Sequence, residues 1–321
     1  DKTSILFFHV DDLVLVGNGK DFESKFLNKL KGSTAQSPNT ILGMKIEILN
    51  NEIQLSQPNH ISHGLDELGL LNGKGSQTPL TPNLQLIQAS DEDHEQFKKL
   101  NVDYRSAIGL LNYIAGHTRP DISFSVSSLA RFSIKPGLTH WNEVKKTWKY
   151  IKGTQDLKFS IKIDPSAPEI TVFSDASWAD DPGSRTSQTG YLCFAYGSLV
   201  AWNSSRQRNI SWSSTEAELN ALVDSFHEGC WIKNLSNEIF RTSISSVPHV
   251  IDNSGLEDKI QRFGSNSKTR HLDLKTKGMR EQLNLKNISL KRVNSFEMLA
   301  DALTKPSSFE SIKNLFNSFS S

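Results

Sequence analysis

Glu169–Ser205, EITVFSDASWADDPGSRTSQTGYLCFAYGSLVAWNSS, is the stretch on which the fold turns. Its apolar run from Ile170 to Phe173 ends on Ser174 and Asp175, and a carboxylate at the end of a buried strand is costly unless its charge is compensated. Ala179-Asp180-Asp181-Pro182-Gly183 is turn chemistry. Two more strand-like segments follow, Gly190 to Tyr196 and Leu199 to Asn203, joined at Gly197-Ser198. The pattern predicts a three-stranded antiparallel meander with Asp175 on its first strand, aimed at a compensating partner. Metal ions are the usual partner for such an acid.

Downstream, ISWSSTEAELNALVDSFHEGCWIKNLSNEIF reads as a long helix. Ser213, Ser214 and Thr215 can each cap it, and Leu219, Leu222, Val223, Phe226, Cys230 and Trp231 give it an apolar stripe. Glu216 and Glu218 both suit its first turn, as partners in a capping box with Ser213 or Thr215. Spacing alone does not choose between them. Val247 to Ile260 reads as a short buried strand ending in Asp252-Asn253, then a helix. KTRHLDLKTKGMREQL gives a further helix, KNISLKRV a last strand, and SFEMLADALTKP a closing helix stopped by Pro306. Asp301 lies on that helix with Glu297 and Lys305 four residues to either side.

Each acid has an ordinary structural explanation when taken singly. Taken together, three antiparallel strands are followed by strands reached through helical crossovers, which favour parallel addition. Such a mixed sheet collects Asp175, Asp252, Asp301 and a glutamate from the long helix at one rim. Four converging carboxylates repel, and their protonations are coupled. Divalent cations relieve the repulsion; Mg2+ favours one or two carboxylates plus waters and phosphate oxygens. Two such ions roughly 3.5–4 Å apart suit in-line displacement at phosphorus.

Upstream, TSILFFHVDDLVLVGNG predicts a buried hairpin whose tip carries Asp11 and Asp12. Asp21 to Lys31 reads as an amphipathic helix, Asn39 to Ile48 as a strand, and Ser56 to Pro58 as the bend before a helix. YRSAIGLLNYIAGHTRPDISFSVSSLARF gives two helices broken at Arg119-Pro120-Asp121. A third helix, His140 to Lys152, carries Lys145, Lys146, Lys149 and Lys152, a face for solvent or for the phosphates of a duplex. With 36 Lys+Arg against 35 Asp+Glu, a nucleic-acid footprint has to be local. No apolar run has the length of a membrane span, the start lacks a signal-peptide pattern, and Cys193 and Cys230 lack zinc spacing. The chain opens at Asp1 and runs at once into a strand, which reads as the C-terminal piece of something longer.

The Asp11-Asp12 hairpin resembles the Tyr-x-Asp-Asp hairpin of reverse-transcriptase palms, with His9 in place of the tyrosine. The order of the later acids resembles ribonuclease H. TRPDI, HWNEVKKTWKYIKGT, SDASWAD, SSTEAEL, DN, TRHLD and LADALTKP, in that order, resemble the copia-type LTR-retrotransposon polyprotein over essentially the whole chain. The resemblance implies an α/β fold: a C-terminal ribonuclease H-like mixed five-stranded sheet with helices, preceded by a partial palm and a helical thumb/connection region. It implies a partial palm and start of thumb over 1–84, a polar linker over 85–100, helical thumb/connection over 101–165 and ribonuclease H over 166–321.

It also points to Glu218 over Glu216, giving Asp175, Glu218, Asp252 and Asp301 as catalytic metal ligands for two Mg2+ ions, with Mn2+ able to substitute. Asp11 and Asp12 become remnant polymerase ligands without the first palm Asp or the fingers, so this chain alone is not expected to polymerise DNA. The implied substrate is an RNA–DNA hybrid, cut in its RNA strand, with 2′-hydroxyls read across a shallow groove. Arg206, Arg208, Ser213, Ser214, Thr215, Lys268, Arg270 and His271 are the candidate nucleic-acid contacts. Further implied partners are RNA, DNA and other parts of the polyprotein, in a cytoplasmic virus-like particle with access to the nucleus, and no membrane. The competing readings are a catalytically dead nucleic-acid-binding remnant and, more weakly, an integrase.

Overall fold

The computed structural model of the chain describes residues 4–10, 12–17, 39–261 and 270–320. It opens with an antiparallel hairpin, β1 (Ser4–His9) and β2 (Asp12–Gly17), with His9 opposite Asp12. Sequence predicts this hairpin as buried, and it is not: Phe8 is 73% and Val10 86% exposed. A two-stranded ribbon has two faces, and here the large apolar side chains on them meet solvent. The predicted helix at 21–31 and Asp11 lie outside the described residues.

The predicted strand at 39–48 is itself a hairpin, β3 (Thr40–Ile41) and β4 (Met44–Ile48). Leu42 and Gly43 between them both have positive φ, +48° and +70°, the backbone of a two-residue turn whose twist matches its strands. β5 (Ile53–Ser56) pairs with β4, and Pro58 opens α1 (Pro58–Glu67) where its missing N–H does no harm. The expected polar linker contains a helix, α2 (Asp91–Lys98). Ser90 caps it, and Phe97 anchors it in the core. Asp93 accepts from the Leu138 N–H, His94 bonds the Pro136 carbonyl and Lys135 pairs with Asp91, so polar ties to the next segment help order this charged stretch.

α3 (Tyr104–His117) and α4 (Ser123–Ala130) are separated by a 3-10 turn at Pro120–Ile122. The adjoining Arg119 is buried and forks onto Asp121 and Thr154, while the Tyr150 hydroxyl donates to Asp121 at 2.6 Å. TRPDI is therefore a core clasp. α5 (Leu138–Gly153) leads to β6 (Phe159–Ile161), which completes the sheet by pairing with β5. On α5, Lys146 donates to Thr81 and Lys152 to the Leu70 carbonyl, so half of the lysine face is engaged within the protein.

The third sheet holds β7 (Ile170–Ser177), β8 (Gln188–Ala195), β9 (Ser198–Arg206), β10 (Val247–Ile251) and β11 (Ile288–Arg292), in the order β11-β10-β7-β8-β9. β7 to β9 are antiparallel; β10 runs parallel to both β7 and β11. This is the ribonuclease H-like mixed sheet the resemblance implied. Between β9 and β10 the chain forms α6 (Ser214–Phe240), which lies against β7, β8 and β10. α7 (Ser254–Gln261) and α8 (Arg270–Asn284) follow β10.

The closing helix predicted at 295–306 is instead two 3-10 turns, Ser295–Glu297 and Leu299–Leu303. Met298 between them is buried with an extended backbone, which re-aims the chain. A true helix comes after Pro306: α9 (Phe309–Phe319), capped by Ser308. One apolar cluster joins α9 and the face of β8–β9 to helices α1 to α5, through Leu192, Phe194, Leu199, Leu315 and Phe319 on one side and Leu111, Ile114 and Phe124 on the other.

Candidate active site

β7 runs two residues past Asp175, so this acid sits inside the strand and not at its end, opposite Gly190. It is 7% exposed, and its Oδ2 accepts from the Thr304 hydroxyl at 3.0 Å. Gly190 makes this contact possible. A Cβ there would lie 2.8 Å from Leu303 Cβ and 2.8 Å from Thr304 Cγ2, so only a glycine lets the turn that carries Asp301 and Thr304 lie against the sheet.

The start of α6 separates its two glutamates. Ser213 accepts from the Glu216 N–H at 3.2 Å, and Glu216 Oε2 accepts from the Trp212 N–H at 2.8 Å. Glu216 is thus a buried capping group. Glu218 faces the sheet, its Oε1 accepting from Asn253 Nδ2 at 2.8 Å. Asn253 also caps α7 through the Leu256 N–H, which leaves the neighbouring Asp252 free of that task. Asp252 Oδ2 accepts from the Ser295 hydroxyl at 2.7 Å.

Ligand oxygens of Asp175, Glu218 and Asp252 lie within 4.8 Å of one another, the metal-competent group among the described residues. Asp301 stands beside that group in an ion pair with Lys305 Nζ at 2.5 Å. Burial, reinforced by the charges of Asp252 and Asp301, pushes Asp175 up to about 6. Burial lifts Glu218 to about 8, against the Asn253 donor and with Asp175 and Asp252 adding to the rise. Oxygen donors crowded into mutual repulsion are the set that a hard divalent cation such as Mg2+ or Mn2+ takes.

The predicted nucleic-acid contacts differ in how far their side chains are engaged within the protein. Ser213 is spent in part on its cap, Ser214 is exposed, and Thr215 is half-buried on the first turn of α6. Arg206 ends β9 and reaches Asp181 at 3.9 Å, a carboxylate that Arg131 holds at 3.1 Å; Arg208 is exposed. Arg270 and His271 open α8 with side chains outside the described set, and Lys268 lies outside the described residues, as does Asp11. Asp12 begins β2, its side chain likewise undescribed. Sequence reading missed Thr304, Asn253 and Ser295 as partners of the acids. The first two lie inside quoted motifs, and their signal was adjacency to a candidate ligand.

No family model matches the chain. Against curated proteins, it is 31% identical over 94% of its length to the retrovirus-related Pol polyprotein from transposon TNT 1-94 of Nicotiana tabacum. It is 28% identical over 96% of its length to that from transposon RE2 of Arabidopsis thaliana. The relatives that match nearly the whole chain are copia-type retrotransposon Pol polyproteins, and the chain matches a fragment of them. It spans 23% and 21% of those two relatives, so it corresponds to under a quarter of a family member. Among solved structures, RNase H1 from the archaeon Halobacterium salinarum overlaps 42% of this chain and 93% of its own at 18% identity and a TM-score of 0.31. The ribonuclease H-like character of this Pol segment is read from its strand order.

Proposed function

We propose that this segment of the Pol polyprotein is a ribonuclease H that hydrolyses the RNA strand of an RNA–DNA hybrid with two Mg2+ ions. The observation that carries the reading is the convergence of Asp175 from β7, Glu218 from α6 and Asp252 from β10. Three elements far apart in sequence deliver acids to one spot, where each raises the cost of the next. Asp301 is the fourth ligand, reached by letting go of Lys305. Bound divalent cations supply activation of water and stabilisation of the departing 3′ oxygen. Thr304, Asn253 and Ser295 hold the carboxylates in orientation. Ser213, Ser214, Thr215, Arg206 and Arg208, with Lys268, Arg270 and His271, are proposed to take the two strands, hydroxyls reading ribose and cations the phosphates.

The same reading assigns 1–84 to a partial palm and start of thumb, 101–165 to thumb/connection and 166–321 to the nuclease. Asp11 and Asp12 are then ligands of a polymerase whose remaining parts belong to the rest of the polyprotein. Among the described residues no helix is long and apolar enough to cross a membrane, and a cytoplasmic virus-like particle is the proposed setting. The test is cleavage of a labelled RNA–DNA hybrid with Mg2+, wild type against Asp252→Asn and Glu218→Gln. Each substitution is expected to exceed the roughly 10–100-fold loss that follows removal of an outer-shell partner. Activity surviving both would remove the assigned site. An inactive wild type that still binds hybrid would favour the nucleic-acid-binding remnant.

A further inference from the structure

Gln188 is fully buried at the start of β8, and every polar atom of its side chain is engaged. Its Oε1 accepts from Arg131, which follows α4, and its Nε2 donates to Ser127 on α4 at 3.1 Å. The same Nε2 donates to Ser204 on β9 at 2.9 Å. Ser204 in turn donates to the Leu303 carbonyl at 2.7 Å, and the hydroxyl of the next residue, Thr304, lies between two acceptors, Asp175 Oδ2 at 3.0 Å and the Asp301 carbonyl at 2.9 Å. A continuous polar chain therefore runs from the helical part of the molecule, across two strands of the sheet, to the turn that carries Asp301 and holds Asp175.

We infer that Gln188 is a positioning residue that couples α4 to the carboxylates, fixing the Leu299–Leu303 turn through Ser204. The direction of the hydrogen bonds gives the relay its function. A serine hydroxyl has one proton, so while Ser204 donates it to Leu303 it can meet residue 188 only as an acceptor. An amide at 188 sets that polarity; a carboxylate of the same shape reverses it. Buried networks of this kind hold a site to within fractions of an ångström when every member is satisfied and loosen it when one is not.

The inference rests on the proposed nuclease reading, and the full chain tests both. Gln188→Glu keeps the volume and the Arg131 contact but contests the Ser204 proton. Ser204→Ala leaves Gln188 and Arg131 in place and cuts the link to Leu303. Mn2+ binding followed by electron paramagnetic resonance is expected to weaken about tenfold in each. Hybrid cleavage is expected to lose kcat by about the same factor with KM for hybrid changed less than twofold, while the melting temperature of Gln188→Glu stays within a few degrees of wild type. Variants whose Mn2+ affinity and kcat match wild type would overturn the relay and leave the nuclease reading standing, even if their stability falls. A wild type that binds no Mn2+ would overturn both.

Discussion

Asp175 is buried with one side-chain hydrogen bond, from Thr304, and two acidic neighbours that raise its proton affinity. In the absence of a cation such a residue works against folding. Asp175→Asn keeps the shape and the acceptor while removing the charge, so it is expected to raise the melting temperature in chelator by a few degrees and to abolish Mn2+ binding. A melting temperature that falls would mean the carboxylate is already compensated within the protein. Asp175 and Glu218 also hold their protons to higher pH folded, about 6 and about 8, than unfolded, about 4. Their protonated forms are favoured in the fold, so stability is full below about pH 4 and falls as pH rises through those values. His249 runs the other way. Among the described residues neither ring nitrogen has a hydrogen-bond partner, and burial holds the ring neutral down to about 4, so its contribution is lost as pH falls below about 6.5. Between pH 6.5 and 8, Glu218 is the one of the three still titrating. The melting temperature in chelator is expected to fall over that interval, to flatten in saturating Mg2+, and to flatten in Glu218→Gln without it. A wild-type profile already flat in chelator would contradict a raised Glu218.

At the scale of elements, the site depends on how closely a 3-10 turn approaches a sheet. Gly190→Ala puts a methyl 2.8 Å from Leu303 Cβ and Thr304 Cγ2 and 2.9 Å from the Ala300 carbonyl, all part of one turn with little freedom to yield. It is expected to cost about 1–3 kcal/mol of stability, as overpacking does, and to weaken Mn2+ binding by pushing Thr304 off Asp175. Denaturant melts and a Mn2+ titration check the two together. Unchanged metal affinity with lost stability would show that the turn does not set the acid's position. The sequence shows much of this scaffold, because strands and helices announce themselves by periodicity and Asp175, Glu218 and Asp252 lie within or just after such segments. It also shows the acids in their chain order. It does not show that Gly190 faces Asp175, since cross-strand register depends on pairing between separated segments. The closing turn was equally hidden: LADALTKP has helical spacing, and only the buried, extended Met298 reveals why it breaks. The apolar runs of β1 and β2 misled for a related reason, as a strand's composition says that it wants cover and not that it has any.

At the scale of the whole molecule, the five-stranded sheet and the helices before it share one hydrophobic cluster. The Trp202 indole donates to the Ala115 carbonyl at 2.9 Å, and the rings of Phe159 and Phe319 stack at 5.8 Å, so contacts run both ways across residue 165. A fragment beginning at residue 166 would uncover Leu192, Phe194, Leu199, Ile312, Leu315 and Phe319 where they meet the helices. At roughly 1.5–3 kcal/mol per fully buried side chain, partial exposure of these six forfeits an amount comparable to the 5–15 kcal/mol that holds a typical domain together. The fragment 166–321 is therefore expected to bind a hydrophobic dye and lose its cooperative melt, while the full chain melts in one transition seen alike by far-ultraviolet circular dichroism and tryptophan fluorescence. A fragment that melts cooperatively within a few degrees of the full chain would make the five-stranded unit self-sufficient. The helices would then be a neighbour to it, and the polar chain through Gln188 would have nothing to transmit.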